Sequence, residues 1–165
     1  MSTAESSVVT FRVFGDDLVP AEISALLGCG PTSVAAKGDV RVIGNNRVKY
    51  VEPTGRWKLC SADRSPEDVA SQISELLGRM TSDLAAWKLL GSSYSMDFFC
   101  GVFMGSPNDG LVLPPEILLQ LTTRGIGLEL DIYDCLDEAR GRSAEPCSAG
   151  ALSTRQMWEQ REPRS

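Results

Sequence analysis

Apolar and polar positions fall into short runs separated by turn residues. Residues 8–14 are β-branched and aromatic and stop at Gly15, which predicts a strand. Asp16 and Asp17 form a turn. Pro20 then opens a short helix whose Ile23, Leu26 and Leu27 share one face, and Gly28 closes it. Residues 40–43 and 47–51 flank Gly44-Asn45-Asn46, which signals a hairpin. Residues 55–60 read as a further strand. Its alternation sends Trp57 and Leu59 to one side, Trp57 against the core, and Arg56 and Lys58 to the other.

The strongest helical pattern begins at Ser65, with Pro66 suited to the first turn and Glu67 and Asp68 matching the positive end of the helix dipole. Val69, Ile73, Leu76, Leu77, Met80, Leu84 and Trp87 recur at three- and four-residue steps, so this face is core. Gly78 and Thr81-Ser82-Asp83 mark a kink or a restart as a second helix. Residues 96–104 are a nearly continuous apolar strand, 113–121 a helix opened by Pro114-Pro115, and 128–133 a last strand. Val13-Phe14 followed by Leu18 to Ile23 is echoed by Val102-Phe103 followed by Val112 to Ile117. The echo points to a duplicated strand–helix–strand unit, with chance matching of common strand and helix-start residues as the alternative. The expected fold is α+β, an antiparallel sheet backed by helices.

Composition narrows the chemistry. The 165 residues contain no histidine, which removes serine–histidine and cysteine–histidine dyads and histidine zinc sites. Cys29, Cys60, Cys100, Cys135 and Cys147 are odd in number and widely spaced, the pattern of neither a disulfide framework nor a zinc cluster. The N-terminus lacks a basic stretch followed by an apolar run, and no apolar run is long enough to span a bilayer, so a cytoplasmic location is expected. A net charge of −6 argues against general binding to nucleic acid or anionic membranes.

Several segments taken in order resemble one family. Residues 10–15, Pro20 with Glu22-Ile23, Leu27-Gly28, Pro31-Thr32, Lys37-Gly38-Asp39 and Trp57 fit its first half, and residues 99–103 and 128–133 fit its second. Over residues 8–134 the chain resembles the bacterial domain of unknown function 4279 family. The resemblance implies a fold and assigns no catalytic residue or cofactor. Where the family places an acidic or hydroxyl cap before each helix proline, this chain has Val19 and Leu113, so both short helices are expected to start uncapped.

Three features carry candidate chemistry. Asp16-Asp17 and Asn108-Asp109-Gly110 occupy the two equivalent loops and could hold a cation, although the same residue types are standard in turns, and turn chemistry is the stronger reading. Cys29 sits in a loop after a helix C-terminus, where the dipole opposes a thiolate. The charge distribution is more informative. Residues 37–64 carry a local balance of +4 and residues 65–135 one of −7. If the strands at 47–51 and 55–60 pair, Arg47, Lys49, Arg56 and Lys58 form one exposed basic stripe, against the plain reading of a solvated outer face.

Residues 1–7 are expected to be a flexible N-terminus, 8–135 a single domain, and 136–165 a polar, mostly disordered tail. In that tail Ser153 and Gln156 have capping-box spacing, and a short helix over 154–162 would present Met157 and Trp158. For function, a non-catalytic protein-binding domain ranks first, an immunity-type stoichiometric binder in bacteria, with another protein as partner and the cationic stripe as contact. The alternatives are a small enzyme using carboxylates or Cys29, and a nucleic-acid contact through the basic face.

Overall fold

In a computed structural model, residues 3–43 and 48–133 are described. The chain divides into two units, Met1–Cys135 and Leu136–Ser165. The tail, with the short helix expected at 154–162, lies outside the described residues, as do Arg47 and residues 44–46 of the hairpin.

The elements run β1 (Ser6–Gly15), α1 (Pro20–Leu27), β2 (Ser33–Ala35), β3 (Val40–Ile43), β4 (Val48–Val51), β5 (Gly55–Cys60), α2 (Val69–Arg79), α3 (Leu84–Ser93), β6 (Ser95–Phe103), α4 (Pro115–Arg124) and β7 (Gly127–Tyr133). Five strands form one sheet in the order β2-β5-β1-β6-β7, and β3 with β4 forms a separate two-stranded ribbon. The fold is α+β. The main sheet is mixed, however, because β7 pairs parallel to β6 while the other three pairings are antiparallel. The reason is the connection. α4 carries the chain back across the sheet before β7 starts, and a crossover of this kind delivers a parallel neighbour.

One face of the sheet and all four helices share a single core. Val9, Phe11 and Val13 of β1, Trp57 and Leu59 of β5, and Phe98, Cys100 and Val102 of β6 meet Ile23 and Leu27, Ile73 and Leu76, Trp87 and Leu90, and Ile117 and Leu121. Phe11 is the hub, with ring centroids 6.2 Å from Trp57, 5.6 Å from Trp87 and 5.3 Å from Phe98. Edge-on aromatic pairs of this kind add about 0.5–1.5 kcal/mol each beyond the area they bury. Trp57 is fully buried, as its strand phase predicts, and its indole N–H donates to Ser24 Oγ at 3.0 Å.

The long helical pattern starts later than Ser65. Asp68 is the cap, its carboxylate accepting the Ser71 N–H at 3.1 Å, and Ser65 instead donates to the Glu5 carbonyl. Asp83 caps the restart, accepting from Ala85 N–H, so one apolar stripe serves two helices. Both proline-opened helices lack a side-chain cap, and both end on a left-handed glycine, Gly28 (φ 73°) and Gly125 (φ 69°), a conformation that only glycine adopts cheaply. Pro114 rather than Leu113 precedes the second. Residues 4–7, expected to belong to a flexible N-terminus, are held in the fold. Ala4 is buried in the core, Glu5 N–H donates to the Phe103 carbonyl, and β1 begins at Ser6. No helix among the described residues is long and apolar enough to cross a membrane.

Candidate functional site

The sheet face opposite the helices is charged. On β1 it carries Thr10, Arg12 and Phe14, on β5 Arg56 and Lys58, and on β6 Asp97 and Phe99, as period-two alternation requires. Arg12 is closed from solvent and grips Asp97 with two nitrogens, both at 2.7 Å, while Nη2 also reaches Glu129 at 2.8 Å. Its guanidinium lies 4.2 Å from the centre of the Phe99 ring. This grouping ties three neighbouring strands together, and bidentate arginine–carboxylate pairs are the strong form of such contacts.

A second cluster sits at the start of β5. Glu52, 2% exposed, places one carboxylate oxygen 2.8 Å from Arg41 Nε and 2.9 Å from Arg56 Nη2. The contacts are ionic rather than aligned hydrogen bonds, since neither donor points along the hydrogen-bonding direction. Arg41 belongs to β3 and Arg56 to β5, so Glu52 tethers the ribbon to the main sheet. Glu52 also holds the ribbon's base, its N–H donating to Asp39 and its carbonyl accepting from Gly38, both at 2.8 Å. Arg41 covers the Tyr50 ring at 4.8 Å, which fixes the inner side of the ribbon.

The opposite side of the ribbon is open. Val40 pairs with Val51 and Val42 with Lys49, and alternation puts these four side chains on one surface. The valines are 60%, 56% and 57% exposed in that pair order, and Lys49 is exposed as well. Sequence reasoning missed this surface, because residues 40–43 and 47–51 read only as the arms of an ordinary hairpin. Only the pairing shows that the ribbon joins neither edge of the main sheet.

The structure places three of the four predicted cations, and they do not share one surface. β4 pairs with β3, whereas β5 lies between β1 and β2, so the pairing that would have made one stripe does not form. Lys49 is on the open ribbon, and Arg56 and Lys58 are only 8% and 6% exposed on the second sheet face. Arg47 lies outside the described residues. Alternation correctly separated Arg56 and Lys58 from Trp57, but it cannot distinguish a solvated face from a second buried one.

The remaining candidates resolve into local structure. Asp16 accepts from Lys37, and hydrogen bonds from Lys37 and Thr54 hold its carboxyl below the usual aspartate value. Asp109 accepts the Gly105 N–H at 2.7 Å, the Ser106 N–H at 3.1 Å and the Ser106 hydroxyl at 2.5 Å, the work of a turn residue. Among the described residues no three Cys, Asp or Glu side chains cluster as metal ligands would. Partial burial raises the Cys29 thiol, with the charge of Arg79 opposing, and burial raises Cys100 far more. Cys60 accepts from the Thr10 hydroxyl at 3.2 Å. Neither raised thiol is an activated nucleophile.

No curated protein and no solved structure matches this chain. The family model described as a domain of unknown function (DUF4279) matches residues 4–135, so the chain belongs to that family.

Proposed function

We propose that this domain is a non-catalytic protein-binding module whose contact surface is the outer side of the β3–β4 ribbon. The observation that carries the reading is the group of three exposed valines beside Lys49 on a ribbon that the Arg41–Glu52–Arg56 tether holds against the sheet. β-branched side chains are stiff and lose little entropy when covered, so a preformed valine surface suits docking. A small stoichiometric binder in the bacterial cytoplasm, of the immunity type, fits this picture. Of the four cations in the expected stripe, Lys49 keeps a contact role on the ribbon. Arg56 supports it through Glu52, Lys58 is withdrawn into the second sheet face, and Arg47 lies outside the described residues.

The rival readings have less behind them. Asp16 and Asp109 are engaged in loop hydrogen bonds, and the Cys29 thiol is shifted away from the reactive thiolate. A nucleic-acid contact would need several accessible cations together, and Arg56 and Lys58 are largely withdrawn from the surface.

The test is affinity capture with the full chain from its native cells, comparing the wild type with the double variant Val42→Asp, Val51→Asp. Both positions are exposed, so the melting temperature should stay within about 3 °C. The wild type should retain one protein in near-equimolar amount and the variant should lose it. Equal capture by both would overturn the reading.

A further inference from the structure

The ribbon is open along its edges as well as on its face. β3 and β4 pair only with each other among the described residues, so each has one side of backbone N–H and C=O groups that no described strand satisfies. Neither strand contains proline or an acid, and the charges they carry are Arg41, turned to Glu52, and Lys49. At its base Gly38, with φ 86°, and Asp39 together oppose Glu52, a glycine bulge, so the regular template runs from residue 40 to 43 and from 48 to 51. A backbone in this state accepts a further strand.

We infer that β4 takes an added strand from a partner protein, an extended segment with a carboxylate opposite Lys49 and a β-branched apolar residue two positions away, opposite Val51. The inference rests on the proposed role of the ribbon as the contact surface. Side chains of the added strand at alternate positions would continue the valine face, and the carboxylate would meet Lys49, the one charge on it among the described residues. Charge selects β4 over β3, whose outer-face residues Val40 and Val42 are both apolar. It also argues against a second copy of this chain. Symmetric pairing of two β4 edges would set each Lys49 near its counterpart, and like charges directly opposite weaken a strand pair.

Two blocked heptapeptides test it, Ser-Glu-Thr-Val-Thr-Val-Ser and the same sequence with Lys in place of Glu, titrated into the isotope-labelled full chain and followed by backbone amide shifts. The glutamate peptide should move the amides of residues 48–51 saturably and bind about tenfold more tightly than the lysine peptide at low salt. In Lys49→Glu the preference should reverse. Unmoved β4 amides, or equal affinity for the two peptides in the wild type, would overturn strand addition. The outcome separates the two readings. If the Val42→Asp, Val51→Asp variant loses its captured protein while both peptides leave β4 unmoved, the ribbon still docks, through its face alone. If that variant keeps its captured protein, both readings fall together.

Discussion

The molecule contains the same motif twice, and the two copies are completed differently. β1–α1–β2 and β6–α4–β7 each run strand, loop, proline-opened helix, left-handed glycine and a return strand parallel to the first. In the second copy β7 hydrogen-bonds directly to β6. In the first, β5 is inserted between β1 and β2, and both flanking strands pair with it antiparallel. Residues 36–54, which contain the ribbon, form the excursion that brings β5 into that gap. The copy that closes simply offers no such excursion. The copy that is opened acquires a buried tryptophan, a charged tether and an exposed valine surface. Novel surface in this fold is therefore carried by the interruption of the motif.

The comparison can be broken most forcefully at Trp57, which sits on the inserted strand and has no counterpart in the second copy. Trp57→Ala should cost about 3–5 kcal/mol, and chemical denaturation would measure it. A loss below about 1 kcal/mol would make β5 an accessory and the first copy complete without it. Next come the equivalent isoleucines, Ile23 and Ile117, which are 0% and 4% exposed. If the copies pack alike, Ile23→Ala and Ile117→Ala should each cost roughly 2–5 kcal/mol and agree to within about 1 kcal/mol.

Glu52→Gln sharpens the difference instead. It leaves the Arg41 and Arg56 charges facing each other with no compensation. Removing one member of a fully buried pair costs about 3–5 kcal/mol, but Arg41 is 29% exposed, so about 2 kcal/mol is expected. Hydrogen exchange should accelerate in β3 and β4 more than in β1. The smallest effect lies in the equivalent loops. Asp16 reaches Lys37 in the excursion, whereas Asp109 accepts from Gly105 and Ser106 of its own loop. The Asp16 carboxyl is held below 3.8 in the folded chain, so its contribution to stability is present above that value and is lost as pH falls through the lowered one. The difference in melting temperature between wild type and Asp16→Asn should accordingly be steady near neutrality and shrink below about pH 3.8. A difference that grows on acidification would contradict the assignment.

Most of the elements were legible because each has a local cause. Strand residues ended by glycine, proline-opened helices and the apolar stripe from Val69 to Trp87 all act within a few residues of one another. The helix start slipped from Ser65 to Asp68 because two capping residues compete within one turn, and Ser65 is drawn off to the Glu5 carbonyl. β2 was not legible at all, since Ser33, Val34 and Ala35 become a strand only by pairing with β5. The site suffered from the same limit. Whether Lys49 and Arg56 share a surface depends on which strand lies beside β5, a contact between distant residues that alternation does not encode. Glu52 left no signal in sequence, because its meaning arises only when Arg41 and Arg56 converge on it.

Gln72 shows what such long-range convergence does for motion. Its side-chain amide is sealed in the interior, accepts from the Ser7 hydroxyl at 2.6 Å, and donates to the Ser7 carbonyl, to Ser61 Oγ and to the Ala62 carbonyl. Ser7 Oγ in turn accepts the Asp68 N–H at 3.0 Å, just before α2. One residue thereby locks the first turn of α2 to β1 and to the segment leaving β5. Helix ends ordinarily fray on their own, but here fraying would strand an amide inside an apolar interior. The N-terminal turn of α2 should therefore open only when the whole domain opens, and its amides should exchange with solvent as slowly as those at the centre of β1.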